Sequence, residues 1–326
     1  MSIKPGSPLA RPPAPSRTPS EPRLDAVSGG IGDATQPPSP ASHPIGPQPL
    51  QRLSQRQLVT LANHLPSREQ EIVRTVERFK LLQADQIRRM FFHEIATDNG
   101  RARVCRRSLA DLTDAGVIRR LDRRVGGVGG GGSGYVYAVT AAGRRLLAYW
   151  NGTGLGSDRG MHEPGAGFVE HTLAIAELYV TLVETDRDQR LELLAFDAEP
   201  ACWRTYTTPF ATNVIVKPDA LVSVAVGEYE ISSFVEIDRA TQGRGALLRK
   251  VNTYIAYYKT GREQAAEGVF PRVVWIAATA VRAGFLADLI AALPAESRRL
   301  FAVTTAAGAL TILTGNDPAT ENGAER

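Results

Sequence analysis

The segment between Ser67 and Val139 restricts most strongly what this chain can fold into, because its hydrophobic periodicity changes from helical to strand-like. Apolar residues recur at helical spacing in three stretches, which predicts helices from about Ser67, from about Ala84 and over about 99–115. The Ser67–Gln70 spacing is typical of a capping box and sets the predicted start of the first helix. Two strand-like stretches, 117–121 and 135–139, flank a glycine run. This order predicts a winged helix-turn-helix over residues 66–150.

The third predicted helix carries the strongest functional signal of this segment. One side is predicted to be buried through Val104, Ser108, Leu109 and Leu112. The candidate DNA-binding residues are arginines of the opposite side, the helix start and the following hairpin: Arg101, Arg103, Arg106, Arg107, Arg119, Arg120, Arg123 and Arg124. Recognition helices present such residues to the major groove, where arginine reads guanine or binds phosphate. The alternative interpretation is a solvated basic surface. The glycine run at 126–134 lacks a following Gly-Lys-Ser/Thr and is interpreted as a wing tip.

Charge is distributed unevenly along the chain. Between Arg56 and Trp150 there are about 17 Lys and Arg against about 9 Asp and Glu, whereas the whole chain carries only +4. The remainder is therefore mildly acidic. A basic segment joined to an acidic one favours a polyanion, such as double-stranded DNA, as partner of the first part.

Composition gives the predicted limits of the folded parts. Residues 1–65 include long Pro- and Ser-rich runs and are predicted to be a disordered tail, as is 314–326. A glycine-rich linker is predicted at 151–167, between the winged helix and a second domain at 168–313. The two cysteines lack CxxC spacing, which excludes a cysteine zinc site and is typical of the cytoplasm. No membrane association is expected, because no uninterrupted apolar stretch reaches about 18 residues.

The second part alternates helical and strand-like patterns. A helix is predicted from Phe168, strands at 191–196, 217–226 and 230–238, a helix at 245–258, a strand at 273–277, a helix near 283–293 and a strand at 300–303. This order predicts an α/β sandwich around a mixed sheet. The overall fold class is therefore α/β and α+β.

Carboxylates occupy selected positions on this scheme. Asp219 follows Pro218 at the start of one strand, and strand alternation places Phe234, Glu236 and Asp238 on one face of the next. Acids among apolar residues need a neutralising cation or proton, and oxygen ligands suit Mg²⁺ or Mn²⁺. Glu170, near the start of the preceding helix, is a further candidate ligand. The alternative is a strand end whose acids pair with arginine.

These residues resemble a known family. Asp219 in KPDA and Glu236 in FVEID resemble the PD-(D/E)xK restriction-endonuclease-like superfamily. A basic winged helix followed by KPDA, FVEIDRAT and KVNTYIAYY resembles, more narrowly, the replication-relaxation family, whose relatives include MOBC-type mobilisation relaxases. The resemblance implies that Asp219 and Glu236 hold a divalent metal and that Glu170 matches a helix-borne acid. It also implies a role in plasmid or mobile-element replication or transfer.

One residue departs from the superfamily pattern. A lysine is expected two residues after Glu236, where this chain has Asp238, and Lys250 on the following helix is the candidate replacement.

Two hypotheses about function follow from these residues. The first is a metal-dependent DNA nickase or endonuclease that uses Asp219, Glu236 and Lys250. The second is a non-catalytic DNA-binding protein, acting alone, as a homodimer or with replication or transfer proteins, whose second domain is a degenerate nuclease fold. A histidine-based relaxase is disfavoured because the five histidines do not cluster in the sequence.

Overall fold

The computed structural model describes residues 53–125, 134–153 and 164–316. Within these residues it contains 11 α-helices and a five-stranded mixed sheet, so the fold is mixed α/β. Contacts group Leu50–Arg326 into one compact unit. The predicted wing tip and linker, and both predicted tails, lie largely outside the described residues.

The first part consists of short helices around a three-stranded antiparallel sheet. Its elements are α1 (Gln55–His64), α2 (Ser67–Phe79), β1 (Leu82–Gln83), α3 (Ala84–Phe91), α4 (Asp98–Asp114), β2 (Ile118–Val125), β3 (Gly134–Val139) and α5 (Ala141–Trp150). The strand order is β1-β3-β2. The three predicted helices and the predicted hairpin are therefore present, and β1, which sequence periodicity did not reveal, adds a strand beside β3.

The start of the first part differs from the prediction. Helix α1 lies within the segment expected to be a tail, and its capping box is formed by Ser54 and Gln57. Helix α2 does begin at Ser67, but its N-cap is Pro66 and no side chain caps it. The reason for α1 is packing: Leu58 and Ala62 are buried, and the Trp150 indole on α5 donates to the Ala62 carbonyl at 3.2 Å.

The second part is a sheet with helices on both faces. Its elements are α6 (Ala166–Arg187), β4 (Glu192–Ala198), β5 (Arg204–Thr207), β6 (Asn213–Val216), β7 (Ala220–Val226), β8 (Tyr229–Asp238), α7 (Arg244–Lys259), α8 (Arg262–Glu267), β9 (Arg272–Ala277), α9 (Ala280–Ala291), α10 (Ala295–Arg298), β10 (Phe301–Thr305) and α11 (Ala309–Leu313). The strand order is β10-β9-β8-β7-β4. Strands β8, β9 and β10 are parallel to one another, whereas β7 runs antiparallel to both of its neighbours, β8 and β4. All predicted strands are present, and the β5–β6 hairpin was not predicted.

Strand β8 separates two cores. Val235 and Ile237 belong to the core that includes α6, whereas Phe234 belongs to the core that includes Tyr254 of α7 and Leu289 of α9. Side chains alternate between the faces of a strand, so Glu236 and Asp238 share the face of Phe234. The predicted alternation is confirmed by these core memberships, and it directs Glu236 toward α7.

The two parts share one core. Phe79 of α2 lies 5.0 Å from Tyr179 of α6 and 5.7 Å from Phe196 of β4, ring centre to ring centre. On α3, the Gln86 amide donates to the Leu173 carbonyl of α6 at 2.9 Å, and Arg89 pairs with Glu177 and Glu184. By length and composition α6 could cross a membrane, but here its apolar residues pack between the first part and the sheet.

Candidate functional site

Helix α4 presents one buried and one exposed side. Its N-cap, Thr97, accepts a hydrogen bond from the Gly100 N–H at 3.1 Å. The buried residues are Cys105, Ser108, Leu109 and Leu112. The prediction for Val104 was wrong, because this side chain is 39% exposed and Cys105 takes its place. The helix is therefore rotated slightly from the predicted orientation.

Arg103, Arg106 and Arg107 form the exposed basic face of α4. All three are exposed, at the i, i+3 and i+4 spacing that places them side by side. Within the described ranges, none of them forms an ion pair, whereas Arg88 and Arg89 on α3 are paired with acids. Exposed arginines without acidic partners keep all their donors available for an external anion.

The other candidate arginines differ in availability. Arg101 is half-buried and donates to the Ile95 carbonyl at 2.6 Å. Arg119 is also half-buried, whereas Arg120 is exposed, with its guanidinium 4.2 Å from the centre of the Tyr135 ring. The side chains of Arg123 and Arg124 lie outside the described residues, although both belong to β2. Of the hairpin arginines whose side chains the structure describes, Arg120 is therefore the exposed one.

In the second part, Asp219 and Glu236 lie at one end of the sheet. Asp219 precedes β7 and is 7% exposed. One of its carboxylate oxygens accepts from the Ile237 N–H of β8 at 2.7 Å, and the other lies 3.2 Å from His171 Nε2 on α6. The hydrogen bond with Asp219 raises the pKa of His171, against an opposing effect of burial. Asp219, at the start of β7, therefore links this strand to β8 and to α6.

Glu236 is the most deeply buried acid of this group. It is 1% exposed; Lys250 contacts one carboxylate oxygen and the Tyr254 hydroxyl donates to the other at 2.6 Å. Burial raises the pKa of Glu236 to about 8, although the Lys250 ammonium acts in the opposite direction. For Lys250, burial would lower the pKa, but Glu236 and Asp219 together raise it. We name Asp219, Glu236, Lys250, Tyr254 and His171 the acidic cluster.

The remaining two predicted ligands are engaged elsewhere. The Arg282 guanidinium of α9 donates to both carboxylate oxygens of Asp238. Glu170 lies 3.1 Å from Arg239 and is half exposed at its side chain. The structure thus brings together Asp219, Glu236 and Lys250, but it does not bring Asp238 or Glu170 into the same group.

A divalent metal requires carboxylate oxygens that are free to coordinate it. In this structure both oxygens of Asp219, Glu236 and Asp238 are already in contact with donors of the protein. Across the described residues, no three His, Cys, Asp or Glu side chains are grouped so that they could hold a metal. The arrangement does not fit Mg²⁺ or Mn²⁺, and Lys250 and Arg282 supply the neutralising charge instead.

Sequence reasoning missed two partners of these acids. Arg282 is 44 residues from Asp238, and no local pattern links them. His171 is one of the five histidines that do not cluster in the sequence, and no local pattern links it to Asp219. Tyr254, by contrast, follows Lys250 by four residues, and this spacing alone predicts that the two share one side of α7.

A family model described as replication-relaxation matches residues 73–273, which is more than half of the chain and extends from α2 into β9. The match therefore includes the basic face of α4 as well as Asp219, Glu236 and Lys250. Comparisons with curated proteins and with solved structures gave no match.

Proposed function

The chain belongs to the replication-relaxation family, and from this premise we propose that it is a double-stranded DNA-binding protein that acts in replication. The observation that carries the proposal is the basic face of α4. Arg103, Arg106 and Arg107 are exposed side by side and have no acidic partner in the described residues. Such a face provides phosphate contacts and, in a major groove, guanine contacts.

The order of elements supports a winged-helix assignment for residues 66–150. Helix α2, strand β1, helices α3 and α4, and strands β2 and β3 follow one another, with a three-stranded sheet in the order β1-β3-β2. Helix α4 takes the place of the recognition helix in this assignment. The arginines of its first half then meet the bases, and Arg120 of β2 contacts the backbone.

The second part supports a nuclease-like fold with a non-catalytic role. The sheet of β4, β7, β8 and β9 carries Asp219 and Glu236 at one end, and helix α7 brings Lys250 to them, as in the PD-(D/E)xK pattern. Each oxygen of these carboxylates already contacts a protein group, and no three potential metal ligands are grouped in the described residues. We therefore propose that the acidic cluster stabilises the fold and that the protein binds DNA without cutting it.

Cleavage remains the second candidate function, because Lys250 lies against Glu236 as that reaction would require. In this hypothesis the protein is a nickase that acts on a plasmid or mobile element in the cytoplasm. A plasmid-nicking assay with Mg²⁺ and with Mn²⁺ separates the candidates. We expect supercoiled DNA to stay intact with wild type. Nicking by wild type that Glu236→Gln abolishes would replace our proposal with the nuclease.

Removal of the basic face tests DNA binding. We expect the triple variant Arg103→Ala, Arg106→Ala, Arg107→Ala to bind a duplex at least about tenfold more weakly, because each lost phosphate or base contact weakens binding. The slope of log affinity against log salt should also fall by roughly 2 to 3. Fluorescence anisotropy at several salt concentrations measures both.

A matched control removes the same charge elsewhere. Arg190, Arg298 and Arg299 are also exposed, and replacing them by alanine lowers the net charge equally. This control should bind like wild type. Equal weakening by the two triple variants would show that only total charge matters, and it would contradict a specific role of α4.

A further inference from the structure

The β5–β6 hairpin projects from the sheet beside the acidic cluster. Strands β4 and β7 pair up to Ala198 and Ala220, and the hairpin lies within the residues that connect these two positions. Ala220 in turn pairs with Val235 of β8, one residue before Glu236. The hairpin therefore leaves the sheet at the end where Asp219 and Glu236 lie.

The base of the hairpin is held firmly against α7 and α8. Tyr206 and Val216 are buried, and the Tyr206 ring lies 5.7 Å from the Tyr257 ring. Arg204 donates to the buried Glu263 at 3.2 Å. These contacts fix the direction in which the hairpin points.

The tip is also constrained, yet it presents a phenylalanine to solvent. The Thr208 N–H donates to the Thr212 carbonyl, and the Ala211 N–H donates to the Thr208 carbonyl, both at 2.9 Å. Ala211 has a φ of +58°, a left-handed conformation that is costly for a residue with a side chain. Phe210, which lies between Thr208 and Ala211, is 92% exposed. The tip of the hairpin thus combines a strained residue, Ala211, with an adjacent aromatic ring that is open to solvent.

The surroundings of Phe210 favour a nucleic-acid base as its partner. No Asp or Glu occurs from Cys202 to Lys217. The exposed polar residues of this segment are three threonines, one asparagine and one lysine, beside the exposed apolar residues Pro209, Phe210, Ala211 and Ile215. Hydroxyl and amide groups donate to phosphate and sugar oxygens, and an aromatic ring stacks on a base of any sequence. A stable protein interface buries about 800 Å² on each partner, whereas a single aromatic ring is enough to stack on one base.

We propose that the β5–β6 hairpin binds unpaired DNA by stacking Phe210 on an exposed base. This inference rests on the proposed DNA-binding function and adds a second contact, distinct from the basic face of α4. Helix α4 would hold the duplex, and the hairpin would hold a strand whose bases are accessible. Such substrates arise wherever replication opens a duplex.

The test compares Phe210→Ala with Tyr229→Ala. Tyr229 is also aromatic and 76% exposed, but it lies at the opposite end of β8 from Glu236. We expect Phe210→Ala to bind single-stranded DNA and a duplex with an unpaired bubble about tenfold more weakly, within the range given by one base–aromatic stack. Binding of a fully paired duplex should change less than twofold. Tyr229→Ala should match wild type on all three DNAs.

A second measurement reports the contact directly. In Phe210→Trp, single-stranded DNA should quench the added tryptophan fluorescence by stacking, whereas Tyr229→Trp should show no added quenching relative to wild type. The inference is overturned by unchanged single-strand affinity of Phe210→Ala, by equal loss on the paired duplex, or by a change of oligomeric state. If wild type binds none of the DNAs, the proposed DNA-binding function fails as well. If wild type binds DNA but the substitutions at Phe210 change nothing, only the inference about the hairpin is wrong.

Discussion

Replacing Lys250 by methionine tests whether the acidic cluster is held together by its internal cation. Methionine keeps most of the length of the side chain but removes the ammonium that contacts Glu236. Glu236 has 1% of its surface exposed and would keep only the Tyr254 hydroxyl as donor. Breaking a buried ion pair by removing one partner costs about 3–5 kcal/mol, because an uncompensated charge stays buried. The Lys250 side chain is one quarter exposed, so we expect the lower end, about 3 kcal/mol, above pH 8, where Glu236 is ionised.

The loss should depend on pH. Burial raises the pKa of Glu236 to about 8, and removal of Lys250 takes away an effect that lowers it. A carboxyl whose pKa is higher in the folded chain binds more protons when folded than when unfolded. The folded state is therefore destabilised as the pH rises from the pKa of the unfolded chain to the pKa of the folded one. Lys250→Met should therefore be mildly destabilised near pH 5 and most destabilised above pH 8.

Urea unfolding at pH 5.5, 7.0 and 8.5 measures these differences. The double variant Lys250→Met, Glu236→Gln removes both charges and should recover most of the stability, since a neutral pair has no buried charge to compensate. A loss below about 1 kcal/mol at pH 8.5 for the single variant, or a double variant no more stable than the single one, would refute the internal-cation argument.

Three further substitutions test the contact of His171 and the packing at two glycines. The raised pKa of His171 means that its contact with Asp219 stabilises the fold fully below the unfolded pKa of 6.5 and less as pH rises through the folded value; His171→Gln should therefore lose more stability at pH 5.5 than at pH 8.5 in the same urea assay. Gly143 is packed so closely that an added Cβ would lie 2.3 Å from the Val117 carbonyl oxygen, and Gly143→Ala should cost about 1–3 kcal/mol. Gly284 lies in the middle of α9 with open space around it. Because alanine favours a helix more than glycine does, Gly284→Ala should increase the free energy of unfolding by up to about 1 kcal/mol. Equal thermal shifts for the two alanine variants would contradict the packing argument.

Local periodicity explains what the sequence could predict. The face shared by Phe234, Glu236 and Asp238 depends only on strand alternation, and the structure confirms it through the core on that side. The common side of Lys250 and Tyr254 depends only on helical spacing, and both reach Glu236. Patterns that are decided within one element are therefore readable from the sequence.

Contacts between distant elements explain what the sequence could not predict. Asp238 is paired with Arg282 and Glu170 with Arg239, so two acids that looked like metal ligands are neutralised by residues far along the chain. The β5–β6 hairpin was missed because each strand has four residues, too few for a clear alternation. The capping box was predicted at Ser67 from the spacing to Gln70, and this was wrong: no side chain caps α2, and the box forms at Ser54 instead.

The shared core determines how the two proposed DNA contacts, the basic face of α4 and Phe210, can work together. Helix α3 is fixed to α6 through Gln86 and Arg89, and α4 packs on α3, so the basic face of α4 belongs to the same compact unit as the sheet. The hairpin is fixed to that sheet through α7. The contacts between α3 and α6 therefore join the two parts directly, independently of the residues that connect them in sequence. Within the proposal, a DNA bound by both α4 and Phe210 contains a duplex beside an unpaired strand, so we expect a junction between the two forms to bind more tightly than either form alone.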